Sequence, residues 1–353
     1  MIPSQHLRRL TALLALLAAT LVVAACGSGV DDSAGGATAA SSSGGDVALR
    51  IAYIGTGGKF NGPEGYAFDK GKLQEWLKPA GVSSVKPVEF ANGPLATQAL
   101  VGGSVDIIIA GDTPQLIAKS QGVPAQAILQ NRVGINAWLI GKKNGPKTVA
   151  DLSGKRVARQ QASFQDRYLQ GLLDQKGING KVQLTAMLNP QAIAALQKGA
   201  LDAAAIAVVQ SKGLADQGFP VLDKSDDHPE LQGTSVTTVS DSFAEKHPDI
   251  AQAFVDAHFK ALDLAKSQED PYYAYLATAT GAPEDVERAW DPLSSYPDEP
   301  FTPAGTKQLQ GTLDFLVDQK LASVNGFASF WSARKSSVPW SCFVPSGVNG
   351  LSG

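Results

Sequence analysis

Residues 99–110 read ALVGGSVDIIIA, and residues 195–206 read ALQKGALDAAAI. Both stretches have an Ala-Leu pair, then a glycine and an aspartate at matching positions, and then a run of small or β-branched residues. Glycine often follows the last turn of a helix, and such an apolar run is typical of a buried strand. We therefore predict one helix-turn-strand unit in each of two α/β lobes, with mixed, mainly parallel sheets flanked by helices. The alternative is a chance likeness between two common units.

The first strand is predicted at Val47–Ile54, where apolar and β-branched residues lead into a turn rich in glycine. A dinucleotide-binding G-x-G-x-x-G pattern that starts at Gly55 would need glycine at position 60, which is Phe60. That motif is therefore excluded. Bare backbone N–H groups at Gly57 and Gly58 remain candidates for close approach to a ligand.

The N-terminus predicts export. Residues 1–25 carry Arg8 and Arg9, followed by an apolar run that is too short for a bilayer and ends in small residues before Cys26. This arrangement resembles the bacterial lipobox, which implies cleavage before Cys26 and lipidation of its sulfur. Residues 26–46 then form the lipidated cysteine and a flexible linker, because Gly, Ser, Ala and Asp bury little apolar surface.

Composition and charge limit the function further. The chain is 44% hydrophobic and 18% charged, with a formal net charge of −3, and removal of residues 1–25 makes it about −5. No basic field exists to hold nucleic acid, so we expect no nucleic-acid partner. A core of about 300 residues tends to divide into two lobes, which leaves a cleft between them.

Cysteine and histidine give no sign of a metal site or a catalytic centre. After Cys26 the only cysteine is Cys342, and no spacing suggests zinc. Of the four histidines, His6 lies in the predicted signal, His228 in a polar turn, and His247 and His258 around a helix predicted to be on the surface. We therefore expect no cofactor, no metal and no catalysis.

A first candidate anion site is the turn at residues 111–115. Thr113 is predicted to cap a helix whose first residue is Pro114, and the N–H of Gln115 and the Thr113 hydroxyl then face a ligand. The alternative is simple capping. Asp112 would repel an anion, so it either pairs with the ammonium of a zwitterion such as taurine or acts as a second cap.

A second candidate lies in the other lobe, where Ser163 precedes a predicted helix as in a capping box. Arg167, one turn into that helix, and Arg132, near the first crossover, are candidates for bidentate bonds to a sulfonate or carboxylate. Phe164, ranked above Trp138, is a candidate cover for an apolar tail. Solvated arginines and core aromatics are the alternatives.

Several phrases together resemble the taurine, alkanesulfonate and nitrate-type binding proteins of ABC importers. They are Gly103-Ser104-Val105-Asp106, Gly111-Asp112-Thr113-Pro114, Val149-Ala150-Asp151-Leu152-Ser153-Gly154-Lys155-Arg156-Val157 and Phe243-x-x-Lys246-His247-Pro248. The resemblance implies a two-lobed, type II periplasmic-binding-protein-like fold whose lobes close on a ligand. It places lobe one at residues 47–132 and 236–353, and lobe two at residues 133–235.

The ligand is less well determined, because many relatives carry Trp-Asp-Pro where this chain has Val208-Val209-Gln210-Ser211. Gln210 is a candidate ligand residue at that position. The resemblance implies a monomeric solute-binding lipoprotein on the extracytoplasmic face of the cell membrane. It would deliver a small organic anion, an aliphatic sulfonate or taurine, to a permease driven by a separate ATPase.

Three alternatives stay open. They are a nitrate or bicarbonate binder, a binder of a heterocycle like a thiamine precursor, and a desulfinase-like enzyme on the same fold.

Overall fold

The apolar runs of the sequence form two five-stranded sheets in the computed structural model, which describes residues 46–323. The strands are β1 (Val47–Ile54), β2 (Val82–Phe90), β3 (Ile107–Gly111), β4 (Ala125–Ile135), β5 (Ala137–Gly141), β6 (Arg156–Arg159), β7 (Gln183–Ala186), β8 (Ala203–Ala207), β9 (Val221–Lys224) and β10 (Gly233–Ser240). The predicted signal peptide, Cys26, the linker before Asp46 and Cys342 lie outside the described residues.

Helices cover both sheets. They are α1 (Gly62–Asp69), α2 (Lys72–Leu77), α3 (Gly93–Val101), α4 (Asp112–Ser120), α5 (Phe164–Gln175), α6 (Asn189–Gln197), α7 (Val208–Asp216), α8 (Asp241–Lys246), α9 (Pro248–Ser267), α10 (Glu269–Thr280), α11 (Glu284–Trp290) and α12 (Pro303–Asp318). Short 3-10 helices lie at Lys78–Ala80, Val149–Leu152, Ser225–Asp227, Pro229–Leu231 and Leu293–Ser295. Within residues 46–323 no helix has the length and apolarity needed to span a bilayer.

The two sheets have the same layout. Their strand orders are β2-β1-β3-β10-β4 and β7-β6-β8-β5-β9. In each sheet the first three strands of this order are parallel to one another. The fourth strand, β10 or β5, is antiparallel to both of its neighbours, so the fifth strand runs in the same direction as the first three. The predicted α/β class with mixed, mainly parallel sheets is confirmed.

The two repeated stretches do form equivalent units. Helix α3 ends before Gly103 (φ +67°) and β3, and α6 ends before Gly199 (φ +71°) and β8, so both glycines hold the left-handed conformation. Each aspartate then ties its strand to the neighbouring one. The Asp106 carboxylate accepts from the backbone N–H of Arg50 at 2.8 Å, and that of Asp202 from the N–H of Arg156 at 2.9 Å.

Apolar side chains from both faces of each sheet form the cores. In the first sheet, one face packs under α1, α2 and α9, for example Ile51 against Phe254, and the other packs under α3, as with Ile108. In the second sheet, α5 covers one face and α6 and α7 cover the other. Sheets covered on both sides explain why the strands read as continuous apolar runs.

The chain crosses between the sheets twice, after β4 and before β10. Only Asn136 separates β4 from β5, and the predicted crossovers after residues 132 and 235 fall inside β4 and β10. Helix α10, which follows β10 and α9 in the chain, packs with α1 and α9 on the side of the first sheet, and α11 packs between α10 and α7. The exact lobe boundaries stay a prediction.

Candidate functional site

A cavity of about 270 Å³ lies between the two sheets. Its walls come from both: Ile109 and Gly111 belong to the first sheet, and Ala207 belongs to the second. Phe164 at the start of α5 and Trp290 at the end of α11 stack across it, with ring centroids 6.4 Å apart. The cavity is therefore the ligand site expected of a two-lobed fold.

Six helices begin at this cavity. Gly62 of α1, Gly93 of α3 and Pro114 of α4 line it from the first-sheet side, and α5, α6 and α7 contribute residues of their first turns from the other side. Helices begin here because parallel strands end here, and β3 and β8 run directly into α4 and α7. Helix N-termini carry unpaired N–H groups and a positive partial charge, so the arrangement favours an anion.

The second-sheet wall is polar and neutral. Its polar side chains are amides and a hydroxyl: Gln160, Ser163, Gln165, Asn189 and Gln210. The Oε1 atoms of Gln165 and Gln210 are buried and have no hydrogen-bond partner within residues 46–323. A buried amide without a partner is costly, so these two side chains are suited to meet a ligand.

The first-sheet wall carries the charges. Arg132 of β4 lies in an ion pair with Asp291, with Nε and Oδ1 2.9 Å apart, and its Nη2 donates to the Trp290 carbonyl at 2.7 Å. Its guanidinium also lies 5.0 Å from the centre of a Trp290 ring. Burial alone would lower the pKa of Arg132, but Asp291, Tyr296, Tyr272 and Glu287 together outweigh burial and hold this pKa above its usual value.

Glu64 of α1 is the second acidic residue on this wall and is held rigidly. Its Oε1 lies 2.7 Å from Nδ1 of His258 and accepts from Nδ2 of Asn131 at 2.9 Å. His258 is 1% exposed. The prediction that His258 lies around a surface helix is wrong, because its side of α9 packs on the sheet beneath Glu64.

Glu287 of α11 is the third acidic residue on the first-sheet wall, and its side chain is 1% exposed. Its Oε1 accepts a hydrogen bond from the hydroxyl of Thr280. The pKa of Glu287 is raised to about 7. Burial is the main cause and the negative charge of Asp291 adds to it, whereas the Thr280 hydrogen bond and the positive charge of Arg132 oppose it. Within residues 46–323 its other oxygen accepts no hydrogen bond.

The predicted site residues divide into two groups. Arg132, Ser163, Phe164 and Gln210 line the cavity. The residues that do not line it are Gly57, Gly58, Asp112, Thr113, Gln115, Arg167 and Trp138. Since Nε and Nη2 of Arg132 already face Asp291 and Trp290, only Nη1 is left for a ligand.

Side chains in the turn at residues 111–115 are hydrogen-bonded to other parts of the protein. The prediction that Thr113 caps α4 is wrong, because Gly111 is the N-cap and the helix begins at Asp112. The buried Asp112 carboxylate accepts from the hydroxyls of Thr113, Thr234 and Thr312 at 2.9, 3.0 and 2.9 Å. These bonds anchor Asp112 inside the helix. Its contact with a ligand, and that of Thr113, stays a prediction.

Gln115 and Arg167 also have partners inside the protein. Nε2 of Gln115 donates to the carbonyls of Ala110 and Val236 at 3.3 and 3.0 Å, and the Arg167 guanidinium donates to those of Glu230 and Gln232. Arg167 is 2% exposed, and backbone oxygens occupy its Nη1 and Nη2. Its predicted contact with a sulfonate stays a prediction.

The remaining predicted residues, Gly57, Gly58 and Trp138, do not line the cavity and contact other parts of the protein. A Cβ on Gly57 would lie 2.0 Å from the carbonyl oxygen of Ala279, so this glycine allows the turn to contact α10. The N–H of Gly58 donates to Glu89 at 3.0 Å. Trp138 donates from Nε1 to Asp226 at 3.2 Å.

Sequence reasoning missed the contribution of α11. A signal was present, since Trp290-Asp291-Pro292 is the tripeptide that the chain lacks after its second repeat. It lies in a part of the sequence that offered no other motif, and its residues reach the cavity only through the packing of α10 and α11. Glu64 was also missed, because an acidic residue in the first turn of a helix is ordinary.

Two sheets of matching layout, joined by two crossings and enclosing a cavity at their helix N-termini, define a two-lobed periplasmic-binding-protein-like fold. The family model described as NMT1/THI5 like matches residues 66–271, and the chain belongs to that family.

Its relatives include a putative aliphatic sulfonates-binding protein of Escherichia coli (strain K12), 30% identical over 247 residues, which are 68% of this chain and 76% of the relative. The taurine-binding periplasmic protein of the same organism is 29% identical over 229 residues, 63% of this chain and 65% of the relative.

Solved structures of other proteins have the same fold as this chain. The crystal structure of the periplasmic aliphatic sulphonate binding protein SsuA from Escherichia coli superposes with a TM-score of 0.61 at 28% identity, over 78% of this chain and 93% of that one. The desulfurization enzyme DSZB has the same fold, with a TM-score of 0.60 at 15% identity over 78% of this chain and 93% of that one.

Proposed function

We propose that this protein is the solute-binding component of an ABC importer and captures an aliphatic sulfonate or taurine in the cavity between its sheets. The ring of helix N-termini around that cavity carries the proposal, because these ends stabilise a sulfonate without a cationic side chain. The similarity to sulfonate- and taurine-binding proteins supports the same ligand class.

The sulfonate would lie against the second-sheet wall. There the first-turn N–H groups of α5 and α7 offer donors to the sulfonate oxygens. Ser163 and Phe164 would complete this side, and Nη1 of Arg132 would reach the ligand from the opposite wall. Capture would end with docking of the loaded protein on a permease driven by a separate ATPase.

A thermal-shift screen of the purified protein tests this function. The ligands are taurine, alkanesulfonates, nitrate, bicarbonate, carboxylates and thiamine precursors, because a saturating ligand stabilises the folded state by mass action. We expect stabilisation by taurine or alkanesulfonates at far lower concentrations than by the other anions. A shift with nitrate or a thiamine precursor alone would replace the sulfonate by that ligand. Desulfination of an added sulfinate would favour the enzyme.

We also propose export and lipid anchoring through Cys26, which rests on the small residues before Cys26 and the polar linker after it. The full chain and its Cys26→Ser variant are expressed separately in a bacterial host, and their membrane association is compared. The unchanged chain should fractionate with membranes, and the variant should not. Equal membrane association of both would rule out the anchor.

A further inference from the structure

The free oxygen of Glu287 is the strongest feature of the cavity that sulfonate binding leaves unexplained. The side chain is 1% exposed and lines the cavity, yet within residues 46–323 its only hydrogen bond is the one from Thr280. Its second oxygen receives no donor from the described part of the protein, and a ligand in the cavity with N–H donors would supply one.

The charges around Glu287 favour a cation there. Asp291 and Glu64 are the other acidic residues of this wall, and the single arginine, Arg132, is 2.9 Å from Asp291 and is neutralised by it. His258 lies behind Glu64, and the tyrosines Tyr272 and Tyr296 donate to Asp291. Because the charges of Asp291 and Arg132 offset each other, Glu64 and Glu287 leave this wall with more acidic than basic groups, which disfavours a sulfonate and favours an ammonium.

The opposite wall takes the opposite charge. It has no acidic lining residue in the described part of the chain, and it presents the N-termini of α5, α6 and α7. The cavity is thus polarised, with its anion-binding wall facing its acidic wall. A ligand with a sulfonate at one end and an ammonium at the other matches both.

We propose that Glu287 is a specificity residue that receives the ammonium of a zwitterionic aminosulfonate and gives up a proton when such a ligand binds. This inference rests on the proposed function. In the empty cavity near pH 7 part of the Glu287 population is protonated. An adjacent ammonium favours the carboxylate, so the proton passes from the Glu287 carboxyl to the buffer and an ion pair replaces it.

Calorimetry with a matched ligand pair tests the inference. Taurine (2-aminoethanesulfonate) and ethanesulfonate are titrated at pH 7 in two buffers of different ionisation enthalpy, so that protons released on binding are counted. The unchanged protein should bind taurine at least tenfold more tightly and release about half a proton per taurine, because a group at its pKa is half protonated. With ethanesulfonate no proton should be released.

Two variants separate the role of Glu287 from general effects on α11. Glu287→Gln keeps the shape and loses the charge, and it should bind both ligands with similar affinity and release no proton. Glu284→Gln lies on the same helix at an exposed position and should behave as the unchanged protein. The number of protons released is measured on the unchanged protein, so it tests the inference even if Glu287→Gln folds poorly.

Failure of this inference and failure of the proposed function give different results. If both sulfonates bind equally, if no proton is released with taurine, or if Glu287→Gln keeps the preference, Glu287 does not read the ligand's charge and the sulfonate-binding function stands. If neither sulfonate binds, both proposals are wrong.

Discussion

At the scale of single residues, buried charges dominate this cavity. Arg132, Asp291, Glu64 and Glu287 are all largely removed from water, and Arg132 and Asp291 form an ion pair. Buried charges contribute little net stability when paired, but they are costly when one partner is removed. Substitutions here should therefore have large and distinguishable effects.

Glu287 makes stability depend on pH. Its pKa is raised from 4.5 to about 7, so the folded protein holds the proton more tightly than the unfolded chain. The resulting stabilisation is fully present below pH 4.5 and is lost as the pH rises through 7. Relative to the unchanged protein, Glu287→Gln should thus gain up to about 3 kcal/mol between pH 5 and pH 8.5. Urea denaturation at both pH values measures it, and a difference that does not vary with pH would contradict it.

Arg132 should be far more important to stability than Arg288, although both pair with acidic residues. Arg132→Met leaves the Asp291 carboxylate buried without its cation and should cost about 3–5 kcal/mol. Arg288 pairs with the exposed Glu269 and Asp270, so Arg288→Met should cost about 1 kcal/mol or less. Denaturant unfolding of the two variants compares them, and equal losses would show that Asp291 finds another partner.

At the scale of elements, the helix N-termini combine folding and binding. The serines at two helix starts allow these roles to be separated. Ser163 caps α5 at the cavity, accepting from the N–H of Asp166 at 3.3 Å, and Ser240 caps α8 outside the cavity, accepting from Phe243 at 3.3 Å. The same local chemistry thus occurs once inside the proposed site and once outside it.

Ser163→Ala and Ser240→Ala should each cost about 1 kcal/mol of stability, because each removes one helix cap. Only Ser163→Ala should weaken taurine binding, because Ser163 lines the cavity and Ser240 does not. Thermal melts and calorimetry on both variants make the comparison. Equal affinity for taurine in the two variants would exclude Ser163 from the site.

At the scale of the whole molecule, Asn136 connects the two crossings between the sheets. It is the single residue between β4 and β5, and it donates to Asp226 at 3.0 Å and accepts from Gln232 at 2.8 Å. Both partners belong to the returning crossing, between β9 and β10. A residue in this position should limit how the lobes move relative to each other as they close.

Asn136→Ala should weaken taurine binding severalfold, because the unliganded protein then samples more open arrangements and closure loses more entropy. Small-angle X-ray scattering should show a larger radius of gyration without ligand and a normal one with it. Asn179→Ala, which removes an exposed bond to Asp174, is the control. If the Asn136→Ala variant scatters and binds like the control, Asn136 does not restrain the lobes.

The sequence by itself determined the fold class, the repeated helix-turn-strand unit and the family. These depend on local patterns: apolar runs of strand length, glycine after a helix, and phrases of neighbouring residues such as Gly111-Asp112-Thr113-Pro114. Of the residues that it proposed for ligand contact, Ser163, Phe164, Arg132 and Gln210 line the cavity, and their contact with a ligand stays a prediction. Strand ends and helix starts are local features, and a parallel sheet brings them to one edge.

Only the tertiary structure decided which polar groups are free. Asp112 and Arg167 look available in the sequence. In the structure Thr234 and Thr312 donate to Asp112, and Nη1 and Nη2 of Arg167 donate to backbone carbonyls more than 60 residues away in the chain. Glu287 looks like an ordinary helical glutamate, and its burial at the cavity comes from the packing of α11 against α10 and α7. Hydrogen-bond satisfaction and desolvation depend on neighbours in space, which no local pattern contains.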